Sequence, residues 1–291
     1  MIRKLSFALL LGLALASGSW ASSVEYAKVK IGRAVAHIVT ANLNDPEVRV
    51  TVALAKGGAG SSESFKSMIG RARPAAAITG TFFDTRTLIP TGDIAMYGTL
   101  VHSGCIGSAL CIDSDNKASI VPLRKGRESK WSGYETVLCA GPMLVSGGKV
   151  AIALKHEGFR GSLCAPARRT AVGITKNGKL LIVAINRETS LSAIAKVMVK
   201  LNAVEALCLD GGSSTGFYHK GRYLAVPARS LTNCLVVYSN ARAYQAAKAE
   251  LAPSRLFAKA ITKPAFDLQH IVSSIPMALS DAFLPAFDSL K

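Results

Sequence analysis

The segment from Val204 to Thr215 joins residue types that suit a site for charged, oxygen-rich ligands. It reads Val-Glu-Ala-Leu-Cys-Leu-Asp-Gly-Gly-Ser-Ser-Thr, so an apolar run ends at a carboxylate and enters a turn of glycines and hydroxyls. Glycine lets a ligand approach the backbone closely, and hydroxyl and N–H groups bind phosphate or sugar oxygens. A simpler interpretation is an Asx turn closed by Asp210. The predicted substrate-binding residues of this turn are Gly211, Gly212, Ser213, Ser214 and Thr215.

Two carboxylates and two arginines form the predicted catalytic set, which is Asp210, Asp84, Arg169 and Arg229. A carboxylate activates water or attacks an electrophilic carbon, and Asp210 is the first choice because its turn places it beside hydroxyl and N–H donors. A guanidinium binds two phosphate oxygens at once, so the arginines are candidates for a phosphate clamp. Two alternatives stay open: Asp84 caps a turn, and the arginines form salt bridges at a surface or interface.

Further predicted substrate-binding residues come from the segments Ile78 to Asp84 and Pro227 to Asn233, and they are Thr79, Phe83 and Asn233. Adjacent aromatic residues after a strand usually have at least one ring in the core. Of the rings of Phe82 and Phe83, we therefore expect one in the core and the other as a sugar-stacking face.

The sequence predicts no cofactor and no metal. The five histidines have neither the spacing of a zinc hydrolase nor that of a serine triad, although His102 and His219 lie near glycine turns and are candidate donors to a substrate. A divalent ion between Asp84 and Asp210 would need an oxygen-rich loop of calcium-binding spacing, and the sequence contains none. The six cysteines also lack the paired Cys-x-x-Cys spacing of a zinc site.

Short strands and a few helices must position these residues, because aliphatic and β-branched runs alternate with Gly, Asn, Asp and Pro from Val24 to about Asn240. The predicted strands are Ala34 to Thr40, Val48 to Ala55, Ala75 to Thr79, Ala171 to Thr175, Leu180 to Ile185, Ala206 to Leu209 and Leu235 to Tyr238. The predicted helices are Ser62 to Ile69 and Ser190 to Leu201. The Asn177-Gly178 step predicts a hairpin between two of the strands.

The second predicted helix leads into the strand that ends at Asp210. Hairpin, helix, strand and glycine turn thus form one unit, with the site at the carboxyl end of a strand by analogy with open α/β sheets. The glycines lack the G-x-G-x-x-G spacing of a nucleotide fold. We expect an α/β (α+β) fold over residues 22–240, a single mixed-sheet domain with flanking helices.

The N-terminus has the features of a secretory signal peptide. Met-Ile-Arg-Lys precedes an apolar run from Leu5 to Ala16 and a small-residue segment, so we expect cleavage after Ala21 and a secreted or periplasmic protein. No segment is long and apolar enough for a comfortable membrane span. An even number of cysteines in an oxidising compartment favours disulfides. Natural pairings are Cys105 with Cys111, Cys139 with Cys164 and Cys208 with Cys234.

The chain is strongly basic, with 35 Lys and Arg against 18 Asp and Glu and a formal net charge of +17. Such a field attracts anions, but the basic residues form no block with interleaved aromatics, so nucleic acid is not an expected partner. Residues 241–291 are rich in Ala, Leu, Lys and Phe and contain four prolines, which predicts short helices or partial disorder. This tail packs on the domain, binds a partner or contacts a membrane surface peripherally.

From Ile78 to Tyr238 the motifs together resemble the phosphodiester glycosidase family. They occur in the family's order: Gly-x-Phe-Phe-Asp, Gly-x-Leu-Val, Gly-Pro-Met-Leu, Arg-Thr-Ala-x-Gly, Leu-Asp-Gly-Gly-x-Ser, and an Arg with a later Asn. The resemblance implies a mixed α/β catalytic domain that cleaves a sugar-1-phosphodiester. The chain departs from the family pattern at Thr79, at Ser213 and at Ile185-Asn186-Arg187, where members usually carry Asn, Gly and Asp-Gly-Arg.

Cleavage of a sugar C1–O bond to a phosphodiester requires stabilisation of an oxocarbenium-like centre and of the departing phosphate. Carboxylates and arginines meet both requirements. The same residue types would also serve a non-catalytic module that binds anionic glycans, or a phosphoesterase that cuts the P–O bond. The expected substrate is therefore a sugar phosphodiester or an anionic glycan of the cell envelope or the extracellular space, such as an exopolysaccharide.

Overall fold

The computed structural model describes residues 22–104, 107–123, 131–159 and 161–252 of the 291-residue chain. Strands dominate these residues, as the short aliphatic runs predict. In chain order the strands are β1 (Val24–Ile31), β2 (Ala34–Asn42), β3 (Arg49–Leu54), β4 (Ala76–Thr79), β5 (Ile94–Met96), β6 (Thr99–His102), β7 (Ser108–Asp113), β8 (Ala118–Pro122), β9 (Tyr134–Ala140), β10 (Met143–Ser146), β11 (Lys149–Val150), β12 (Ala167–Thr175), β13 (Lys179–Thr189), β14 (Ala203–Leu209), β15 (Phe217–His219), β16 (Arg222–Ala225) and β17 (Asn233–Tyr238). The helices are α1 (Phe65–Ala72), α2 (Leu191–Lys200) and α3 (Ala241–Leu251), with 3₁₀ helices at Leu154–Glu157, Gly161–Cys164 and Gly212–Ser214.

A seven-stranded sheet in the order β1-β2-β13-β12-β14-β10-β11 carries the predicted site. β12 and β13 form the predicted hairpin, with Ile174 opposite Leu180. Gly178 in its turn has φ +70°, a conformation that glycine adopts at no steric cost. β14 lies between β12 and β10 and ends at Leu209, so Asp210 emerges between two neighbouring strands.

Two five-stranded sheets complete the fold, in the orders β16-β15-β4-β17-β3 and β6-β5-β9-β7-β8. Every ladder of the described strands is antiparallel. The predicted α/β (α+β) class is confirmed, and the strands are distributed over three sheets instead of one.

The central position of β14 follows from burial on both of its faces. Leu207 and Leu209 point into the core that joins the seven-stranded sheet to the other sheets, whereas Ala206 and Cys208 point into a second core beneath α2. Alternate residues of a strand face opposite sides. Asp210 directly follows this doubly buried strand.

The two predicted helices are present with slightly shifted ends. The Ser64 and Ser190 side chains cap α1 and α2 by accepting N–H groups from Ser67 and Ala193, as hydroxyl residues do at helix starts. α2 buries its apolar face against the seven-stranded sheet and leads directly into β14. The predicted helix-to-strand connection is thus confirmed.

The strands of the third sheet and β1 were not predicted. β1 pairs along its whole length with β2. Lysines on its exposed side interrupt the apolar pattern, so the sequence did not indicate a strand there. In the third sheet, Tyr97 and Gly98 form the turn between β5 and β6, and both residues have positive φ angles.

The ends of the chain fall partly outside the described residues. The predicted signal peptide, residues 1–21, and the tail from residue 253 onwards lie beyond them. The first part of the tail is α3, which buries Tyr244, Ala247 and Leu251 against the core, in agreement with the packing alternative. Within the described ranges, no helix is long and apolar enough to cross a membrane.

The predicted disulfides within the described residues are wrong in this structure. The free cysteines are Cys111, Cys139, Cys164, Cys208 and Cys234. Cys139 is buried in the third sheet and Cys164 is exposed, while Cys208 and Cys234 lie in different cores. Strand alternation places these thiols as small hydrophobic groups in separate layers. Cys105 lies outside the described residues.

Candidate active site

Asp210 is fixed through its backbone to two neighbouring segments. Its N–H donates to the Gly80 carbonyl at 3.0 Å, and its carbonyl accepts the Thr170 hydroxyl. Gly80 directly follows β4, and Thr170 lies in β12. The ends of β14 and β4 and the interior of β12, from two sheets, therefore meet at Asp210.

The Asp210 side chain is 6 % exposed and carries a perturbed carboxyl. It accepts the Gly211 N–H at 2.9 Å and a hydrogen bond from the Ser214 hydroxyl. Burial raises the pKa of Asp210 to about 6, and the charge of Arg229 is among the influences that oppose this increase. A carboxyl with a pKa near neutrality and a cation beside it is typical of a functional group. The contact with Gly211 is to the next residue, whereas the Asx turn that the sequence left as an alternative is closed by the N–H two residues on.

The glycine turn is shaped by close packing on one side and by an open surface on the other. A Cβ on Gly211 would lie 2.5 Å from the Arg168 carbonyl oxygen, so only glycine fits there. Gly212 has φ +55°, and a Cβ on it would meet nothing within 4 Å, so its backbone conformation rather than space favours glycine. Gly211, Gly212 and Ser213 are partly exposed, while Ser214 and Thr215 are buried.

Arg229 is the predicted arginine that the structure brings to Asp210. The preceding residue, Ala228, donates its N–H to the Ser213 carbonyl at 2.8 Å, which ties this loop to the turn. Arg229 is partly exposed, and its charge acts on the Asp210 carboxyl. It therefore lies where it can contact an anion above the turn.

Arg169 has a different environment. It is 4 % exposed, and its Nε donates to the Thr189 carbonyl at 3.2 Å. Its Nη2 donates to the carbonyls of Leu163, at 2.7 Å, and Ala165. These contacts hold the segment before β12 against the end of β13, so the guanidinium braces the wall of the site.

Asp84 closes a turn with one of its oxygens. It is 1 % exposed, and Oδ1 accepts the N–H groups of Arg86, at 2.8 Å, and Thr87, at 2.9 Å. This is the capping arrangement that the sequence left open beside catalysis.

Thr79 and Asn233 are buried residues that hold the loops of the site in place through hydrogen bonds. The Thr79 hydroxyl donates to the Ser214 carbonyl and accepts the Gly216 N–H at 2.7 Å. The Asn233 Oδ1 accepts the Thr81 N–H at 2.8 Å. Both side chains are about 1 % exposed, and their contacts link the ends of β4 and β17 to the glycine turn.

Phe82 and Phe83 are both buried, whereas one buried and one exposed ring were predicted. Phe82 is 5 % and Phe83 is 8 % exposed, so neither ring presents an open stacking face. The chain folds back after them, which pairs Phe83 with Pro90 in a β-bridge and places Phe82 6.0 Å from the ring of Phe159. The expectation of one exposed ring is therefore wrong for this structure.

Two buried hydroxyls of the site loops have no hydrogen-bond partner among the described residues, those of Thr81 and Thr215. Buried polar groups are nearly always satisfied, so each such group calls for a water or ligand. Thr81 follows Gly80, the residue that binds the Asp210 N–H, and Thr215 ends the glycine turn. These hydroxyls are candidate contacts to bound water or substrate.

Sequence reasoning missed Glu157, which ends the 3₁₀ helix Leu154–Glu157. Both of its carboxyl oxygens are within hydrogen-bond distance of the Met143 N–H, at 2.9 and 3.0 Å, and Oε2 accepts the Ser108 hydroxyl at 2.9 Å. Burial raises the pKa of Glu157 against these hydrogen bonds. Its surroundings, Lys-His-Glu-Gly, are those of an ordinary polar loop, so no local signal identifies it.

The two candidate histidines, His102 and His219, contact neighbouring residues of the fold. His102 is 5 % exposed, with Nε2 2.6 Å from the Pro90 carbonyl. His219 stacks on Tyr26 at 5.6 Å between ring centroids. Within the described part of the chain, no three His, Cys, Asp or Glu side chains form a group that could hold a metal ion.

The fold is similar to that of several solved structures. A zebrafish N-acetylglucosamine-1-phosphodiester alpha-N-acetylglucosaminidase catalytic domain, auto-inhibited by its pro-peptide, matches with a TM-score of 0.62 and 20 % identity over 76 % of this chain and 85 % of that one. A Synechocystis protein matches with a TM-score of 0.64 and 17 % identity over 74 % of this chain. The match spans 61 % of the Synechocystis chain, about three fifths of its length.

A protein from Burkholderia pseudomallei K96243 matches with a TM-score of 0.51 and 14 % identity, over 70 % of this chain and 74 % of that one. At these identities, the solved structures establish the fold alone. No curated protein sequence matches the chain. The family model for phosphodiester glycosidases matches residues 72–238, which include β4, β14 and β17 and every predicted site residue. Because this match covers more than half of the sequence, the chain belongs to the phosphodiester glycosidase family.

Proposed function

We propose that the protein is a hydrolase that cleaves the glycosidic C–O bond of a sugar-1-phosphodiester. The observation that carries this proposal is the pairing of a buried carboxyl, Asp210, with a partly exposed arginine, Arg229, above a glycine and hydroxyl turn. Family membership supports the same reaction class.

The two side chains match the two charges that develop during this cleavage. Positive charge grows on the sugar ring and negative charge on the departing phosphate. An ionised Asp210 stabilises the first, and the Arg229 guanidinium binds the phosphate oxygens. A phosphate is already a good leaving group, so the reaction requires little help from a general acid.

The remaining predictions extend this proposal. Export through a cleaved signal peptide, residues 1–21, would place the catalytic domain of residues 22–240 in the periplasm or outside the cell, where envelope and extracellular glycans are its substrates. The tail of residues 241–291 would follow that domain, with peripheral membrane contact as one use of it. The formal net charge of +17 favours encounter with such anionic substrates.

The proposal is tested by release of free sugar from a panel of sugar-1-phosphodiesters, including UDP-N-acetylglucosamine. The parent protein is compared with Asp210→Asn and with Asp115→Asn, which alters an aspartate whose side chain is 74 % exposed. We expect turnover by the parent and by Asp115→Asn, and a loss of at least about 100-fold in Asp210→Asn. Binding of the diesters without turnover by the parent would instead identify a glycan-binding module.

A further inference from the structure

Glu157 lies beside the turn of Gly141 and Pro142, at the edge of the site. Its carboxyl is held from below by the Met143 N–H and the Ser108 hydroxyl. The residue is partly exposed, so a ligand can reach it. Glu157 forms no ion pair with another described residue.

The same turn is bonded to the strand that carries Asp210. The Gly141 N–H donates to the Cys208 carbonyl at 2.9 Å, and the Cys208 N–H donates to the Pro142 carbonyl at 2.8 Å. Cys208 lies in β14, two residues before Asp210, which directly follows the strand. Glu157 and Asp210 therefore flank one short stretch of the sheet.

The charges of Asp210 and Glu157 both influence the pKa of the Cys208 thiol. Burial raises the pKa of Cys208 to about 12, and the nearby cation of Arg169 opposes that increase. The carboxylates of Asp210 and Glu157 both add to it. Both carboxyls therefore lie within electrostatic range of this thiol.

A glycine packs closely against Glu157. Gly141 has φ +130°, and a Cβ there would lie 3.3 Å from Glu157 Oε2 and 3.2 Å from the Phe159 ring. Phe82 packs against that ring with 6.0 Å between the centroids. The Glu157 carboxyl thus lies near an aromatic ring, an apolar neighbour that favours its protonated form.

We propose that Glu157 is the second carboxyl of the active site, partnering Asp210 in the role predicted for Asp84, and that it accepts a proton from the attacking water. This inference rests on the proposed glycosidase function. In the step assigned to Glu157, the water oxygen bonds to the anomeric carbon as the bond from that carbon to its phosphate oxygen breaks. The electron pair leaves on the phosphate beside Arg229, and one water proton passes to Glu157.

The test compares Glu157→Gln with Glu157→Asp on a diester that the parent cleaves. Gln keeps the length of the side chain and an acceptor for the Met143 N–H, while Asp keeps the proton-accepting carboxylate but shortens the side chain. A general base predicts that Gln lowers kcat by about 100-fold or more and that Asp is the more active variant. A purely structural role predicts the reverse order. Glu25→Gln, at an exposed glutamate of β1, serves as the control that retains activity.

Azide provides a second readout, because it attacks the anomeric carbon without giving up a proton. We expect azide to restore turnover to Glu157→Gln and to yield the sugar azide, with no effect on Glu25→Gln. If azide rescues Asp84→Asn and not Glu157→Gln, or if folded Glu157→Gln is as active as the parent, the assignment of Glu157 is overturned while the glycosidase remains. A parent without turnover on the whole panel overturns the proposed function and, with it, the role of Glu157.

Discussion

At the scale of single residues, the site depends on an unfavourable environment for Asp210. Burial favours its neutral form, and only the Gly211 N–H, the Ser214 hydroxyl and the charge of Arg229 support ionisation. The carboxyl thus remains easily protonated near neutral pH. This property suits a group that responds to charge developing on a substrate.

The rate should fall in mildly acidic solution. With the pKa of Asp210 raised to about 6, protonation removes the ionised form below that pH. We expect kcat/KM to decline about tenfold per pH unit below about 6 as Asp210 is protonated. The decline becomes steeper where Glu157, whose pKa burial also raises, is protonated as well. The measurement is kcat/KM from pH 4 to 8. A midpoint near the ordinary value of 3.8 would contradict the environment found for Asp210.

Asp210→Asn should stabilise the fold while abolishing turnover. The pKa of Asp210 is 3.8 in the ordinary state and about 6 in the folded chain. At about 1.4 kcal/mol per pKa unit, ionisation costs the folded state roughly 3 kcal/mol. This cost is absent below the pKa of the unfolded chain, 3.8, where the carboxyl is protonated in both states, and it is complete above the pKa of the folded chain, about 6. The stability gained by Asp210→Asn is therefore greatest above pH 7 and vanishes towards pH 4. Urea unfolding at several pH values measures it, and a variant less stable than the parent at pH 7.5 would refute it.

Substitution of Arg229 should lower activity, whereas substitution of Arg169 should lower stability. Arg229→Lys keeps the charge but loses the two-pronged contact with phosphate, so we expect kcat/KM to fall by about tenfold or more with unfolding unchanged. Arg169→Lys loses donors to buried carbonyls and should cost about 1–3 kcal/mol of stability. Kinetics and urea unfolding of both variants test this division. Equal loss of stability in the two variants would argue against it.

At the scale of elements, the strands that surround the site could be predicted better than the contacts between them. The hairpin of β12 and β13, the capped helix α2 and the strand β14 carry local signals in their turn, cap and apolar residues. β12 begins four residues earlier than predicted, because backbone carbonyls satisfy the Arg169 guanidinium and allow a buried cation inside a strand.

Glu157 shows the limit of local patterns. Its partners, Ser108 and Met143, are 49 and 14 residues away in the chain, so only the folded sheet arrangement brings them together. The thiols illustrate the same limit: an even number of cysteines favours pairing, but strand alternation places Cys208 and Cys234 in separate cores. The burial of Phe83 likewise follows from a nonlocal bridge to Pro90.

Glycine substitutions should have opposite effects at two elements. A Cβ at Gly80, beside Asp210, would lie 1.9 Å from the Asn233 Oδ1, so Gly80→Ala should destabilise the fold by about 1–3 kcal/mol or more and reduce turnover. A Cβ at Gly70, inside α1, meets nothing within 4 Å, so Gly70→Ala should stabilise by about 0.5–1 kcal/mol. Unfolding curves of both variants provide the comparison. A fully stable, active Gly80→Ala would contradict the tight fit of Gly80 against Asn233.

At the scale of the whole molecule, the formal net charge of +17 favours anionic substrates before any specific contact forms. Salt screens such attraction over about 8–10 Å at physiological ionic strength. We expect KM for a diester to rise with added salt while kcat changes little. Kinetics between low and physiological salt test this, and a KM insensitive to salt would limit recognition to the groups around Asp210.

The fold also brings strands from two sheets together at the candidate site, because the Asp210 N–H, just after β14, donates to the Gly80 carbonyl, just after β4. The central claim is that this site directs cleavage to the sugar side of the diester. The most direct measurement is hydrolysis of a sugar-1-phosphodiester by the parent protein in water enriched in heavy oxygen, followed by mass spectrometry of both products. C–O cleavage predicts the label in the released sugar. Label in the phosphate product would instead show attack at phosphorus and contradict the claim.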